Sequence, residues 1–160
     1  MIFRRPKRAD VHADDPDARL AAITEGRVGQ NALRRLVVHD NDAAVREAAV
    51  RRLRDLVVLR QLVETASERR IREAARGRYR QLIAGGDDLE LEYRRAALRA
   101  CKDRQILAHA ARSAREPALR ITALERVDDR QLLAEAAAHD PDPVVRDAAS
   151  RCLRGLPIDG

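Results

Sequence analysis

His139-Asp140-Pro141-Asp142-Pro143-Val144-Val145-Arg146-Asp147-Ala148-Ala149 is the stretch on which the reading of the fold turns. Its centre, an apolar residue followed by arginine, returns upstream at Ala18-Arg19, Val45-Arg46, Ile71-Arg72, Tyr93-Arg94 and Leu119-Arg120. Successive arginines stand 27, 26, 22, 26 and 26 positions apart. A fixed period of this size is the signature of a stacked repeat array.

The copies agree beyond the arginine. Four residues before it stands an acid, Asp15, Asp42, Glu68, Glu90, Glu116 or Asp142, and three residues after it stands alanine in all six. Small residues at that place let helices approach closely. Nine residues after three of the arginines come Asp55, Asp103 and Asp129, each opening a second apolar segment, and aspartate is a preferred helix N-cap. In one copy Leu59, Leu62 and Val63 share a helical face, a turn follows around Ser67-Glu68, and a second helix carries Ile71, Ala74 and Ala75. Each copy therefore reads as two short helices, and neighbours must stack to bury their apolar faces.

These phrases resemble the HEAT-like repeats, in particular the short-period bacterial kind, over residues 14 to 154. The match is closest at His139 to Ala149 and nearly as close at His39-Asp40-Asn41-Asp42-Ala43-Ala44-Val45-Arg46. The resemblance implies an all-α, right-handed α-solenoid of about six short helix pairs, with a curved surface lined by the second helices. It implies no activity, because such proteins range from scaffolds to nucleic-acid binders and a few enzymes. The expected organisation is a basic, flexible tail over 1–13, a single solenoid over 14–155 that is irregular near 77–90, and a short C-terminal tail over 156–160. The irregularity is read from the spacing of 22 between Arg72 and Arg94 together with Gly77, Gly85 and Gly86. There the first helix of the unit must be shortened or lost.

Composition agrees. Of 160 residues 45% are hydrophobic, enough for a core, and only Phe3, Tyr79 and Tyr93 are aromatic; alanine and leucine fill the apolar positions, which favours packed helices over a sheet. No apolar run is long enough to span a bilayer, and no apolar segment of a signal peptide follows the first eight residues, so a cytoplasmic setting without a membrane partner is the expectation. Cys101 and Cys152 lie in different copies and form no paired ligand motif, consistent with free thiols.

The net charge of +6 owes four charges to Arg4, Arg5, Lys7 and Arg8, leaving a body only mildly basic. Two sets of arginine remain to be placed. The ladder arginines, Arg19, Arg46, Arg72, Arg94, Arg120 and Arg146, read as structural. Each has an acid four residues before it, to which it can bond, or it can reach loop carbonyls of the adjacent unit. The second set, Arg51, Arg54, Arg78, Arg80, Arg99, Lys102, Arg126, Arg151 and Arg154, falls late in the second helices. It reads either as a solvated polar face or as a discontinuous inner strip, with steps of about 10 Å, that meets phosphates.

His12, His39 and His139 each precede a ladder arginine by seven residues, at helix ends, where histidine interacts favourably with exposed carbonyls; repeat geometry holds them too far apart for a shared metal site. No catalytic constellation, cofactor or metal site is expected. Three classes of function remain open: a protein-binding scaffold, which is preferred; a nucleic-acid accessory module using the inner strip and the basic tail; and a lyase or repair enzyme, which would need an aromatic-rich pocket. Leu153 and Leu156, with no further helix to cover them, point to a homodimer or a docked subunit at the C-terminal end.

Overall fold

The computed structural model describes residues 10–156, and the tail residues Arg4, Arg5, Lys7 and Arg8 lie outside them. Among the described residues there are ten α-helices and no strand: α1 (Pro16–Thr24), α2 (Gln30–His39), α3 (Ala43–Arg52), α4 (Leu56–Thr65), α5 (Arg69–Ala84), α6 (Leu91–Ala100), α7 (Arg104–Ser113), α8 (Pro117–Leu124), α9 (Arg130–His139) and α10 (Pro143–Gly155). A single 3-10 turn, Gly86–Asp88, precedes α6. The all-α expectation holds, and the ladder arginines fall on α1, α3, α5, α6, α8 and α10.

Capping explains why helices start where they do. Asp42 accepts from the amides of Ala44 and Val45, Asp55 from Val57 and Val58, Asp103 from Ile106, Asp129 from Leu132, and Asp142 from Val144. Each carboxylate satisfies amides that have no partner inside the helix. Replacing Asp142 with alanine is expected to cost about 1 kcal/mol, read as a lower urea midpoint at unchanged slope. A midpoint equal to that of the parent would remove the capping argument.

The residues cluster into two compact units, Met1–Arg78 and Tyr79–Gly160. In the first, α3 packs on both α1 and α2. In the second, the ladder-bearing helices pack in sequence, α6 on α8 and α8 on α10, backed by α7 and α9. This is the two-layer arrangement that short amphipathic helices need in order to bury one face each. The alanine three residues after the ladder arginine lies at the contact: Ala22, Ala49, Ala75, Ala123 and Ala149 are buried. One residue further on, Ile23, Val50, Leu98 and Leu124 are buried apolar side chains, but Arg76 and Ser150 hold the same place in α5 and α10. Arg76 bonds Glu73 at 2.8 Å, and the Ser150 hydroxyl donates to the carbonyl of Arg146 at 2.9 Å.

The copy around Arg94 has no first helix. In its place Gly85, at φ 127°, ends α5 in a conformation only glycine adopts readily, and Asp87 and Asp88 follow with φ of 59° and 45°. A side chain at Gly86 would stand 2.8 Å from the carbonyl oxygen of Gln81. Arg115 closes the turn from outside: its amide donates to Ala84 O at 3.2 Å and its Nη2 to Asp88 at 3.2 Å. The irregularity is thus confined to residues 85–90, and α5 runs unbroken through Gly77. Without the missing helix, Tyr93 is 37% exposed where Val45, Leu119 and Val145 are buried.

Candidate functional site

The ladder arginines form a polar system that recurs from copy to copy, and most of them make two kinds of contact. Each arginine first grips carbonyls of its own entry turn: Arg19 those of Ala13 and Asp14, Arg46 that of Asp40, Arg72 those of Ala66 and Ser67, Arg120 those of Ala114 and Arg115, and Arg146 that of Asp140. Arg94, whose copy lacks a helix, reaches Leu89 O at 2.9 Å and Ile83 O at 3.3 Å, so one guanidinium ties both ends of the irregular turn.

The second contact is to a carboxylate of the following copy. Arg19 meets Asp40 through two parallel bonds of 2.8 and 3.0 Å, and Arg120 meets Asp140 with the same two lengths. Arg94 meets Glu116 at 2.8 and 2.6 Å, and Arg46 meets Glu68 at 2.7 Å. The sequence reading paired each arginine with the acid four residues before it or with loops of the adjacent unit. In the structure the carboxylate comes from the next copy and the carbonyls from the arginine's own turn. Which acid serves follows what stands two residues before the helix start, Asp40 and Asp140 in two copies and Ala66 and Ala114 in two others. Where the helix starts with Asp42 or Asp142, that short carboxylate caps its helix and the aspartate two residues earlier takes the arginine. Where it starts with Glu68 or Glu116, the longer side chain reaches the arginine itself. Two parallel bonds to a planar fork fix orientation as well as distance.

These contacts set the ionisation of the acids. Burial pushes the Asp40 and Asp140 carboxyls up, but hydrogen bonds from Arg19 and Arg120, the amides of Asp42 and Asp142, and nearby guanidinium charge outweigh it and hold both below the usual range. The hydrogen bonds from Arg94 hold Glu116 low against a smaller opposing effect of burial.

A third device recurs at the far ends of the same helices. Arg52 donates to Thr24 O, Arg78 to Leu53 O and Arg126 to Cys101 O, each at 2.8 Å. All three stand six residues after a ladder arginine and satisfy a carbonyl at the C-terminal end of the preceding ladder-bearing helix. Two members of the basic strip, Arg78 and Arg126, are therefore engaged in this way, and Arg78 is only 7% exposed. Arg51 is exposed and paired with Glu47, which also takes Arg70. Arg54, Arg99, Lys102, Arg151 and Arg154 are exposed, and Arg80 is half-buried. Arg80 faces His109, whose imidazole is pushed below its ordinary value by burial and by that positive charge.

Of the strip residues, the second unit brings Lys102 and Arg126 to one groove of about 420 Å³. Arg104, Glu125, Asp128 and Asp129 add charge to its walls, and Leu107, Ala108, Val127 and Leu132 supply apolar surface. Three cations face three anions. Arg104 and Asp128 are paired at 3.0 Å, but both are largely exposed, so the pair adds little stability. The groove exists because α8 stops at Leu124, leaving residues 125–129 as an open turn, whereas α3 continues to Arg52 and leaves only residues 53–55 before α4. Sequence reasoning missed Arg104, Glu125 and Asp128 because the aspartate nine residues after the arginine is unchanged there.

His39 and His139 end α2 and α9 as expected, and His12 donates its amide to Asp10 at 2.8 Å. Cys101 is buried; Cys152 is half-buried and its thiol is pushed up by burial and by Glu125, which disfavours the nucleophilic thiolate. Leu153 and Leu156 are half-buried, and α10 exposes Val144, Asp147, Arg151 and Arg154. Among the described residues no group of three or more His, Cys, Asp or Glu is placed to hold a metal ion, and no helix is long and apolar enough to cross a membrane. The chain matches no family model, no curated protein and no solved structure.

Proposed function

We propose that the chain is a non-catalytic binding scaffold, a HEAT-like right-handed α-solenoid of about six short units that engages a partner protein through its repeat surface. The recurrence of the three arginine contacts from copy to copy supports the repeat architecture. The observation that carries the binding reading is the groove bearing Lys102 and Arg126. Its balanced charges and apolar floor suit a polypeptide segment that offers both signs and a few apolar side chains, whereas a polyanion would meet Glu125, Asp128 and Asp129 as repulsion.

A photo-crosslinking amino acid at position 104 is expected to capture a discrete protein partner in cells of the source organism, and Lys102→Glu is expected to reduce that capture. Unrelated duplex DNA and RNA are expected to run unretarded with the protein at low ionic strength. Retardation that falls steeply with salt and is lost in Lys102→Glu would turn the reading to a nucleic-acid module.

A further inference from the structure

The six ladder arginines are not equally satisfied. Arg19, Arg46, Arg94 and Arg120 each hold a carbonyl of their own turn and a carboxylate from the next copy. Arg72 holds two carbonyls. Arg146 holds one, that of Asp140 at 2.7 Å, and among the described residues no carboxylate meets the rest of its fork.

Arg46 shows what is missing, because its entry turn carries the same hydrogen bonds as that of Arg146. Asp40 and Asp140 accept the amides of Asp42 and Asp142 at 2.9 Å, Asp42 and Asp142 cap α3 and α10, and Nη1 of each arginine donates to the carbonyl of Asp40 or Asp140 at 2.7 Å. At Arg46 this leaves Nη2 aimed at Glu68, 2.7 Å away. Arg146 is oriented by the same bond and is half-buried, so its remaining donors are held in place with no carboxylate partner among the described residues.

We propose that Arg146 is a docking point for a carboxylate of a partner protein, a glutamate or aspartate at the start of a helix, presented as Glu68 is presented to Arg46. This rests on the scaffold reading and names the chemistry of one contact. The rest of α10 fits a polar, reversible encounter. Ser150 stands where four of the other copies carry Ile23, Val50, Leu98 or Leu124, and Asp147, Arg151 and Arg154 are exposed beside it. Val144, 60% exposed and two residues from Arg146, offers one apolar contact.

The test uses an acetylated, alanine-rich helical peptide with glutamate at its N-cap and a twin with glutamine there. Titration into the full chain is followed through the Nε–H resonances of its arginines. The glutamate peptide is expected to shift Arg146 and to bind about five- to tenfold more tightly than the twin, the size of one charge-assisted bond of ~1 kcal/mol or more. Arg146→Lys, which keeps the charge and loses the fork, is expected to remove most of that preference at unchanged melting temperature, and Arg151→Gln to leave it intact. Equal binding of the two peptides, no binding of either, a shift confined to Arg151 and Arg154, or displacement of the glutamate peptide by inorganic phosphate at lower concentration would each overturn the assignment. Capture at position 104 reports on the scaffold reading separately, so failure here and failure there are told apart.

Discussion

Replacing Arg94 with alanine is expected to destabilise the second unit by about 3 kcal/mol or more, the largest single-site effect in the chain. Arg94 is 2% exposed, and its guanidinium serves four acceptors, the two Glu116 oxygens and the carbonyls of Leu89 and Ile83. Truncation leaves a partly buried carboxylate and two carbonyls without their donor, and leaves Arg115 alone to close the 85–90 turn. The cost of breaking such a system by removing one partner exceeds the net contribution of the intact pair, because the remaining charge stays desolvated. Urea denaturation of the variant measures it. Arg94→Ala combined with Glu116→Gln should recover part of the loss, because the stranded charge is gone; a double variant as unstable as the two single losses added together would show that the arginine acts through packing alone.

The second large effect is acid lability. Asp40, Asp140 and Glu116 all bind protons less readily in the folded chain than in the unfolded one. The stability they contribute is complete above the ordinary carboxylate range, about pH 4, and is lost as pH falls through their lowered folded values. Stability should therefore drop steeply on acidification below that point and change little between there and neutrality on their account. Asp40→Asn and Asp140→Asn are expected to lower stability at neutral pH and to flatten the acid limb, each removing its own share of the slope. Urea midpoints measured at half-unit steps in pH read both effects. An Asp140→Asn variant with the full acid slope of the parent would show that the Arg120 pair does not carry it.

Much of the fold was legible in the order of residues, and the legible parts have local causes. The aspartates at 55, 103 and 129 mark helix starts because a cap needs only the amides two or three residues on, whereas Asp42 and Asp142, read from their spacing as arginine partners, prove to be caps as well. The double glycine at 85 and 86 marks the broken copy because positive φ and a close carbonyl exclude a side chain whatever surrounds it. The ladder arginines were found by their spacing, since a stack of alike units must repeat whatever holds one unit to the next.

What the sequence by itself determined, then, is helix content, period, caps and the position of the one irregular copy, all of them properties of neighbours along the chain. Only the tertiary structure decided which carboxylate each arginine meets, because Asp40 and Glu68 do the same work from different places in the phrase, each meeting its arginine from the next copy. The same holds for Arg78 and Arg126, which composition places with the exposed arginines and packing assigns to helix-end carbonyls. The groove beside Lys102 also belongs to this second kind: it follows from α8 ending at Leu124, and the sides it joins are distant in sequence. Charge can be counted from letters, but whether a guanidinium faces water or a carbonyl is settled by the shape of the helices packed around it.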